Sequence, residues 1–275
     1  MKISVMSIAF RELYRKGEMD VSDFVRICAQ LAVDGVEITR SDEQGVEQRT
    51  EQALKETGLA VSSYNLSAAI LSADQARQTE AWEAFRDGLD RAKRLRAGSV
   101  MVFPGPLQYT DPDRERKSWI AACKVCAAYA EAKDLLVTME NIGSQQGIPI
   151  RGKVAHMREI VEGVGSPFFR LAFDTGNFLM AEEDPGAALQ ELAPFVAHIH
   201  LKDVVIRRVG REGRYTETAV GAGVVDFQPI FEELRARDYA AFVSLECAGG
   251  GGRAPKEHMV EISVRNTRKM LDRWT

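Results

Sequence analysis

Four residues with metal-ligand chemistry end short apolar runs in the second half of the chain. They are Glu140 in LLVTMEN, Asp174 in RLAFDTGN, His200 in VAHIHLKD and Glu246 in FVSLECAG. If each run is a β-strand, its side chains alternate between two faces. Thr138 then shares a face with Glu140, Ala172 with Asp174, His198 with His200, and Ser244 with Glu246. The residue between each pair (Met139, Phe173, Ile199, Leu245) is bulky and apolar, suited to packing against an outer layer. A lone acid at a strand end is ordinarily solvated or ion-paired, but four such residues in matching register are not explained that way. Three carboxylates gathered at one place repel each other and raise each other's pKa values, and a divalent cation removes that cost. Oxygen-rich ligands with one imidazole suit Mn²⁺, Mg²⁺, Co²⁺ or Zn²⁺. One divalent ion is therefore expected on Glu140, Asp174, His200 and Glu246, with Mn²⁺ placed first.

Other residues fall where they would meet a ligand of that centre. His198 and Lys202 share the parity of His200: His198 is expected deeper, against a ligand carboxylate or substrate, and Lys202 nearer the mouth, on a substrate oxygen or paired with Asp203. Asn65 and Phe103 end two earlier apolar runs and are expected to form polar and apolar pocket walls, while Glu37 suits a buried ion pair. Trp82 reads as helix core. The segment 204–225 carries Arg207, Arg208, Arg211 and Arg214, a candidate anion-binding lid that reads equally as a solvated loop, and AGGGGR (248–253) is a candidate anion cradle.

The elements that must position these groups follow from periodicity. Short β-rich runs without a polar face, as in strands buried on both sides, occupy 2–9, 35–39, 59–65, 99–103, 135–140, 170–174, 196–202 and 242–247. Helical patterns alternate with them at 20–33, 46–57, 74–96, 113–133, 153–163, 184–193, 226–237 and 256–272. Asp20, Asp74 and Asp226 are placed as helix caps, Pro185 and Pro229 in first turns, and Gly58 and Gly98 at helix C-termini. Eight β-then-α units in 275 residues predict an α/β fold of the closed (β/α)8 barrel type as a single domain over 1–275. Such barrels gather their active sites where strands end. The first strand is not followed by the glycine fingerprint of a dinucleotide-binding open sheet.

The net charge of −4 gives no reason to expect nucleic acid or an anionic membrane as partner. No apolar run approaches a bilayer-spanning length. Four cysteines are too sparse for a disulfide scaffold, so a cytoplasmic location is the default. Cys123 and Cys126 fall in an Ala-rich helical stretch and read as packing, as do Cys28 and Cys247.

TMEN (138–141), FDTGNF (173–178), HIHLKD (198–203), VGAGVVDF (220–227) and SLE (244–246) together resemble the sugar phosphate isomerase/epimerase family of xylose-isomerase-like TIM barrels. The family includes ketose 3-epimerases, inosose isomerases and dehydratases, and dehydroshikimate dehydratases. The resemblance implies a small-molecule carbohydrate or keto-polyol substrate. It also implies that Glu140 and Glu246 are catalytic, one removing a proton α to a carbonyl to give an enediolate and the other returning it. The expected activity is that of a metal-dependent isomerase or epimerase. A lyase acting on a keto-inositol, dehydroshikimate-like or 3-keto-glycoside substrate is the alternative, and a non-catalytic metal-stabilised sugar-binding protein is the second alternative. Sugar epimerases of the family often carry a substrate-binding histidine three residues after the metal-binding Asp. Here that position is Asn177, whose amide can bind a hydroxyl but cannot titrate. DNA-repair endonucleases of the same superfamily need many histidines for three zinc ions. This chain has four (His156, His198, His200, His258), two of them in helical patterns. Relatives are frequently dimers or tetramers, and a homo-oligomer is admitted by that analogy.

Overall fold

Strands without a polar face must be covered on both sides, and closing the sheet on itself lets one face become an interior. In the computed structural model, residues 1–67, 70–103, 111–142, 151–209, 212–247 and 256–274 are described. The strands are β1 (Lys2–Met6), β2 (Gly35–Thr39), β3 (Ala60–Ser67), β4 (Val100–Phe103), β5 (Val137–Glu140), β6 (Phe169–Asp174), β7 (Val196–Leu201), β8 (Asp203–Val209), β9 (Glu212–Thr218) and β10 (Phe242–Leu245). All but β8 and β9 pair in parallel as a closed barrel, in the order β1-β10-β7-β6-β5-β4-β3-β2. The eight expected strands are the eight barrel strands. The expected helices are Val21–Gln30, Glu47–Thr57, Gln75–Arg94, Pro112–Glu131, Val154–Val164, Pro185–Leu192, Gln228–Ala236 and Lys256–Trp274.

Parity along the strands divides the apolar residues into two cores. Met139, Phe173, Ile199 and Leu245 point outward into the large core shared with the helices, alongside Trp119, Phe85 and Phe178. Met6, Met101 and Ala172 form a separate small cluster, with Ile8 and Phe103 packed against it. That second cluster shares strand faces with the metal-ligand candidates, so it is the inner core of the barrel. Inner positions of such barrels are usually filled by bulky branched residues. Here Ser4, Thr138 and Ser244 stand among them, each fully buried with a hydroxyl that has no hydrogen-bond partner.

Local signals hold with two corrections. Asp20 caps its helix in a reciprocal box with Asp23, Asp74 caps Gln75–Arg94, and Gly58 ends Glu47–Thr57 in the left-handed region. Gly98 does not end a helix: Arg96 takes the left-handed turn there, at φ 53°. Glycine is needed at 98 because a Cβ would lie 2.8 Å from the Ser62 carbonyl oxygen of β3. Asp226 stands one residue before the cap of Gln228–Ala236 and accepts from the Gln228 N–H at 3.1 Å. The cysteines match their packing role: Cys28, Cys123, Cys126 and Cys247 are all free and buried. Trp82 is partly buried against Phe85 and Tyr129. Among the described residues no helix is long and apolar enough to cross a membrane.

The largest departure from expectation is the segment after β7, read from sequence as a lid or loop. It is an antiparallel hairpin of β8 and β9, with Asp203 opposite Thr218 and Ile206 opposite Tyr215. β-branched Val204, Val205 and Ile206 on one arm, and Tyr215, Thr216 and Thr218 on the other, favour the extended backbone. The side chains of Arg207, Arg208, Arg211 and Arg214, and the run 248–253, lie outside the described residues. Asp203 anchors the hairpin and its return: Oδ1 accepts from the N–H groups of Val204 (2.9 Å) and Val225 (3.1 Å), and Oδ2 from those of Gly221 (3.0 Å) and Gly223 (2.7 Å). Replacing it strands four backbone donors at a buried position. Asp203→Ala is expected to lower unfolding free energy by about 3 kcal/mol or more, read from urea denaturation. A loss under about 0.5 kcal/mol would show that the anchor is dispensable.

Candidate metal centre

Four adjacent barrel strands deliver the candidate ligands. Glu140 ends β5, Asp174 ends β6, His200 lies on β7 and Glu246 immediately follows β10. One ligand atom from each lies within 4.8 Å of the others, and all four residues are buried. His200 is the hub. Its Nδ1 sits 2.6 Å from Glu140 Oε1 and 3.2 Å from Glu246 Oε2, while its Nε2 faces Glu37 Oε1 at 3.0 Å.

Asp174 is fixed by its neighbours. Its backbone is clasped by Asn141, whose Oδ1 accepts from the Asp174 N–H at 2.8 Å and whose Nδ2 donates to the Asp174 carbonyl at 3.0 Å. Its Oδ1 caps the helix Thr175–Met180 by accepting from the Asn177 N–H at 2.5 Å. That leaves Oδ2 pointed at the cluster.

Two oxygens report what the cluster lacks. Asp174 Oδ2 and Glu246 Oε2 are buried without a hydrogen-bond partner. Buried carboxylate oxygens are costly in that state. The donor set is three carboxylates and one imidazole, and its charge also fits a cation. Lys202 supplies one positive charge, its Nζ lying 2.8 Å from Glu246 Oε1 and 3.4 Å from Asp174 Oδ2. With a neutral imidazole, two negative charges remain, which a divalent ion balances. These residues therefore fit the metal that the sequence predicts.

Electrostatics follow from the same contacts. Burial raises the Asp174 carboxyl well above its ordinary range, and the neighbouring carboxylates Glu246 and Glu140 add to that rise against the opposing pull of Lys202 and His200. Burial would also raise Glu246, but Lys202 and His200 beside it hold it well below that range. Burial would lower His200, yet Glu37 and Glu140 raise its imidazole well above the ordinary value. For Glu37, the flanking imidazoles of His200 and His198 outweigh burial and hold the carboxyl low.

The remaining expected site residues are distributed differently from the sequence reading. Asn177 does not turn its amide outward: Nδ2 donates to the Asn141 carbonyl at 2.9 Å, and Oδ1 accepts from Lys202 Nζ at 3.2 Å. Lys202 contacts Asp174 and Glu246 in place of Asp203, because Asp203 is taken up by four backbone N–H groups. His198 binds Glu37 Oε2 at 2.8 Å instead of a ligand carboxylate, and Asn65 donates to Glu37 Oε1 at 2.7 Å instead of forming a wall. Glu37 is fully buried, as expected, and faces both imidazoles, a contact that is an ion pair wherever either ring is protonated. Phe103 does stand at a strand end, over the inner apolar cluster, with the Arg151 guanidinium 5.1 Å from its ring centroid. Two supporting residues, Asn141 and Thr175, fall in the motifs TMEN and FDTGNF but receive no role from sequence. Asn141 has the wrong parity for the interior and acts by reaching sideways to β6. Thr175 accepts from the Lys202 N–H at 3.0 Å and donates to its carbonyl at 2.7 Å, tying β6 to β7.

Comparison with known proteins agrees with this fold. Residues 25–270 match the family model described as xylose isomerase-like TIM barrel. An inosose dehydratase of Clostridium beijerinckii is 35% identical over 89 residues, covering 28% of this chain and 29% of that protein. The L-ribulose-5-phosphate 3-epimerase UlaE of Shigella flexneri is 24% identical over 192 residues, covering 68% of this chain and 64% of that protein. The chain thus spans less than two thirds of the length of either relative. A structure of the IolI protein with a binding zinc atom superposes with a TM-score of 0.83 at 16% identity, covering 100% of this chain and 99% of that one. The closed barrel, the ligand-bearing strand ends and the family match together make this chain a member of the xylose isomerase-like TIM-barrel family, which includes epimerases and dehydratases.

Proposed function

We propose that this chain is a divalent-metal-dependent isomerase or epimerase of a sugar or keto-polyol, working by proton removal α to a carbonyl through an enediolate. The observation that carries this reading is the convergence of Glu140 and Glu246 on one atom, His200 Nδ1, at 2.6 and 3.2 Å. The two carboxylates come from strands separated by β6 and β7, so they approach a common centre from two directions. One takes the proton and the other returns it, which inverts a carbon or moves the carbonyl. Glu140, Asp174, His200 and Glu246 would hold the ion, which supplies Lewis-acid stabilisation of negative charge developing on the substrate oxygen. Lys202 holds Glu246 ionised and oriented. Ile8 and Phe103, half-buried over the inner cluster of Met6, Met101 and Ala172, offer an apolar surface to the carbon skeleton. Mn²⁺ is the first choice of metal, and Zn²⁺ is supported by the ion named in the IolI structure.

A second reading, lyase or dehydratase, rests on Asn177. Its amide is engaged by Asn141 and Lys202, so this position offers no titrating group to a substrate hydroxyl. If the returning acid protonates a β-oxygen, the same pair expels water or an aglycone. The matched segment of the inosose dehydratase is in keeping with that outcome.

Chelator-stripped protein is expected to take up one divalent ion per chain. Its affinity should fall as pH is lowered, because the raised His200 and Asp174 groups must shed protons to bind. Ion at 100 times its Kd should add about 2.7 kcal/mol to unfolding free energy. Absence of stoichiometric uptake by calorimetry at any pH would sink the metal assignment.

NMR-detected deuterium uptake from D₂O into ketoses, inososes and 3-keto-sugars tests the chemistry. Metal-dependent exchange α to a carbonyl is expected, with Glu140→Gln and Glu246→Gln each slowing it by about 10²–10⁴-fold. An isomer of unchanged mass identifies isomerase or epimerase, and loss of water or an aglycone identifies the lyase. Metal-loaded protein that exchanges nothing across the panel would refute the enediolate reading.

A further inference from the structure

Glu37 is fully buried and gathers three donors from three side chains. Oε1 accepts from Asn65 Nδ2 at 2.7 Å and faces His200 Nε2 at 3.0 Å, while Oε2 faces His198 Nε2 at 2.8 Å. The orientation of Asn65 is itself fixed, because its Oδ1 accepts from Ser63 Oγ at 3.1 Å and so turns Nδ2 toward Glu37. The two imidazoles stand nearly perpendicular, at 88° with centroids 5.1 Å apart, so that one carboxylate is shared edge-on by both. The chain from Ser63 through Asn65 to Glu37 ends on the far side of His200 from the carboxylates Glu140 and Glu246.

An imidazole can present a lone pair on one nitrogen only if its proton sits on the other. A proton on Nε2 donates to Glu37 and leaves Nδ1 with its lone pair toward Glu140 and Glu246. The opposite tautomer would aim the Nε2 lone pair at a buried carboxylate oxygen on the side where no cation would sit, whereas a cation among Glu140, Asp174 and Glu246 would take up the lone pair at Nδ1. We infer that Glu37, oriented by Asn65 and His198, is a positioning residue that holds His200 with its proton on Nε2, so that Nδ1 is the metal-binding nitrogen. This rests on the metal-binding part of the proposed function and extends it to strands β2 and β3, which β1 on one side and β4 on the other separate from the ligand strands.

Glu37, His198 and His200 are also close enough together to be a second ion site. The Asn65 contact argues against that. An amide NH₂ is a donor and not a metal ligand, and it lies 2.7 Å from the oxygen that faces His200. That oxygen is therefore engaged as a hydrogen-bond acceptor.

The test uses the full chain, stripped by chelator and reloaded with Zn²⁺, with affinity read by chelator competition and His200 read by ¹⁵N NMR. Wild type should bind one Zn²⁺, with Nδ1 on the metal and Nε2 protonated. Glu37→Gln replaces one acceptor oxygen by a donor and cannot serve both imidazoles. It should weaken Zn²⁺ binding by about 10–100-fold and disturb the Nε2–H signal of His200. Glu37→Asp, which keeps the charge, should recover part of that loss. Should Glu37→Gln fail to fold, Asn65→Ala removes only the orienting hydrogen bond and should weaken binding by about fivefold. Unchanged affinity and tautomer in both Glu37→Gln and Asn65→Ala would overturn the inference while leaving the metal centre standing. Two Zn²⁺ per chain would overturn it in favour of a second site. A wild type that binds no Zn²⁺ would remove both the inference and the reading beneath it.

Discussion

Like charges buried close together repel strongly, by roughly 4 kcal/mol for unit charges 4 Å apart at an effective dielectric near 20. Glu140, Asp174 and Glu246 are in that situation, all nine-tenths or more buried around one imidazole. Much of the C-terminal half of the barrel is arranged around this constraint. Lys202 lies between two of the acids, His200 between the other pairing, and Asp174 gives one oxygen to a helix N-terminus, whose positive end favours a carboxylate. What is left over within the donor set, with a neutral imidazole, is two negative charges and two oxygens without hydrogen-bond partners. A divalent ion answers both, which is why the centre reads as a metal site and not as a structural ion-pair network.

The supports are as specific as the ligands. Asn141 clasps the backbone of Asp174, Thr175 ties β6 to β7 through Lys202, and Asp203 binds the hairpin to the end of β7. These contacts join successive strand ends sideways, so the ligands are held by a rigid rim and not by loops. Preorganisation of this kind lets ligand groups meet a substrate or ion without rearrangement.

The barrel and the convergence of its four candidate ligands were legible because parity repeats. Each ligand strand carries a large apolar residue between two smaller or polar inner ones, and the outer and inner cores divide along that alternation. Spacing does not say which partner a buried polar group chooses. Asn177, Lys202, His198 and Asn65 all face inward as their positions predict, yet each satisfies another protein group before any substrate. The outcome depends on strands distant in sequence: Glu37 and His200 are 163 residues apart. Gly98 shows the same limit, since its reason is the nearby backbone of β3 and not its own helix. The hairpin was missed because an Arg-rich segment between barrel elements resembles a solvated loop until its two arms are paired in register.

The two cores also constrain the chemistry under the proposed function. The inner apolar cluster of Met6, Met101 and Ala172, with Ile8 and Phe103, presents no group able to carry a proton. Among the described groups able to carry a proton, Glu140, Asp174, His200, Lys202 and Glu246 lie on the arc from β5 through β6 and β7 to β10, while Glu37 of β2 and His198 stand behind His200. Under the proposed function a substrate turns its reacting carbon and oxygens toward that arc, and the half-buried Ile8 and Phe103 are the members of the cluster left to meet its hydrocarbon face. Within the arc, Glu140 and Glu246 are the carboxylates at its two ends, and Lys202 lies against only one of them. The pair is thus electrically unequal, with Glu246 held anionic by an adjacent ammonium. Inequality of this kind gives proton transfer a preferred direction. The position of the substrate oxygen relative to the returning acid then decides whether the same arc epimerises or eliminates.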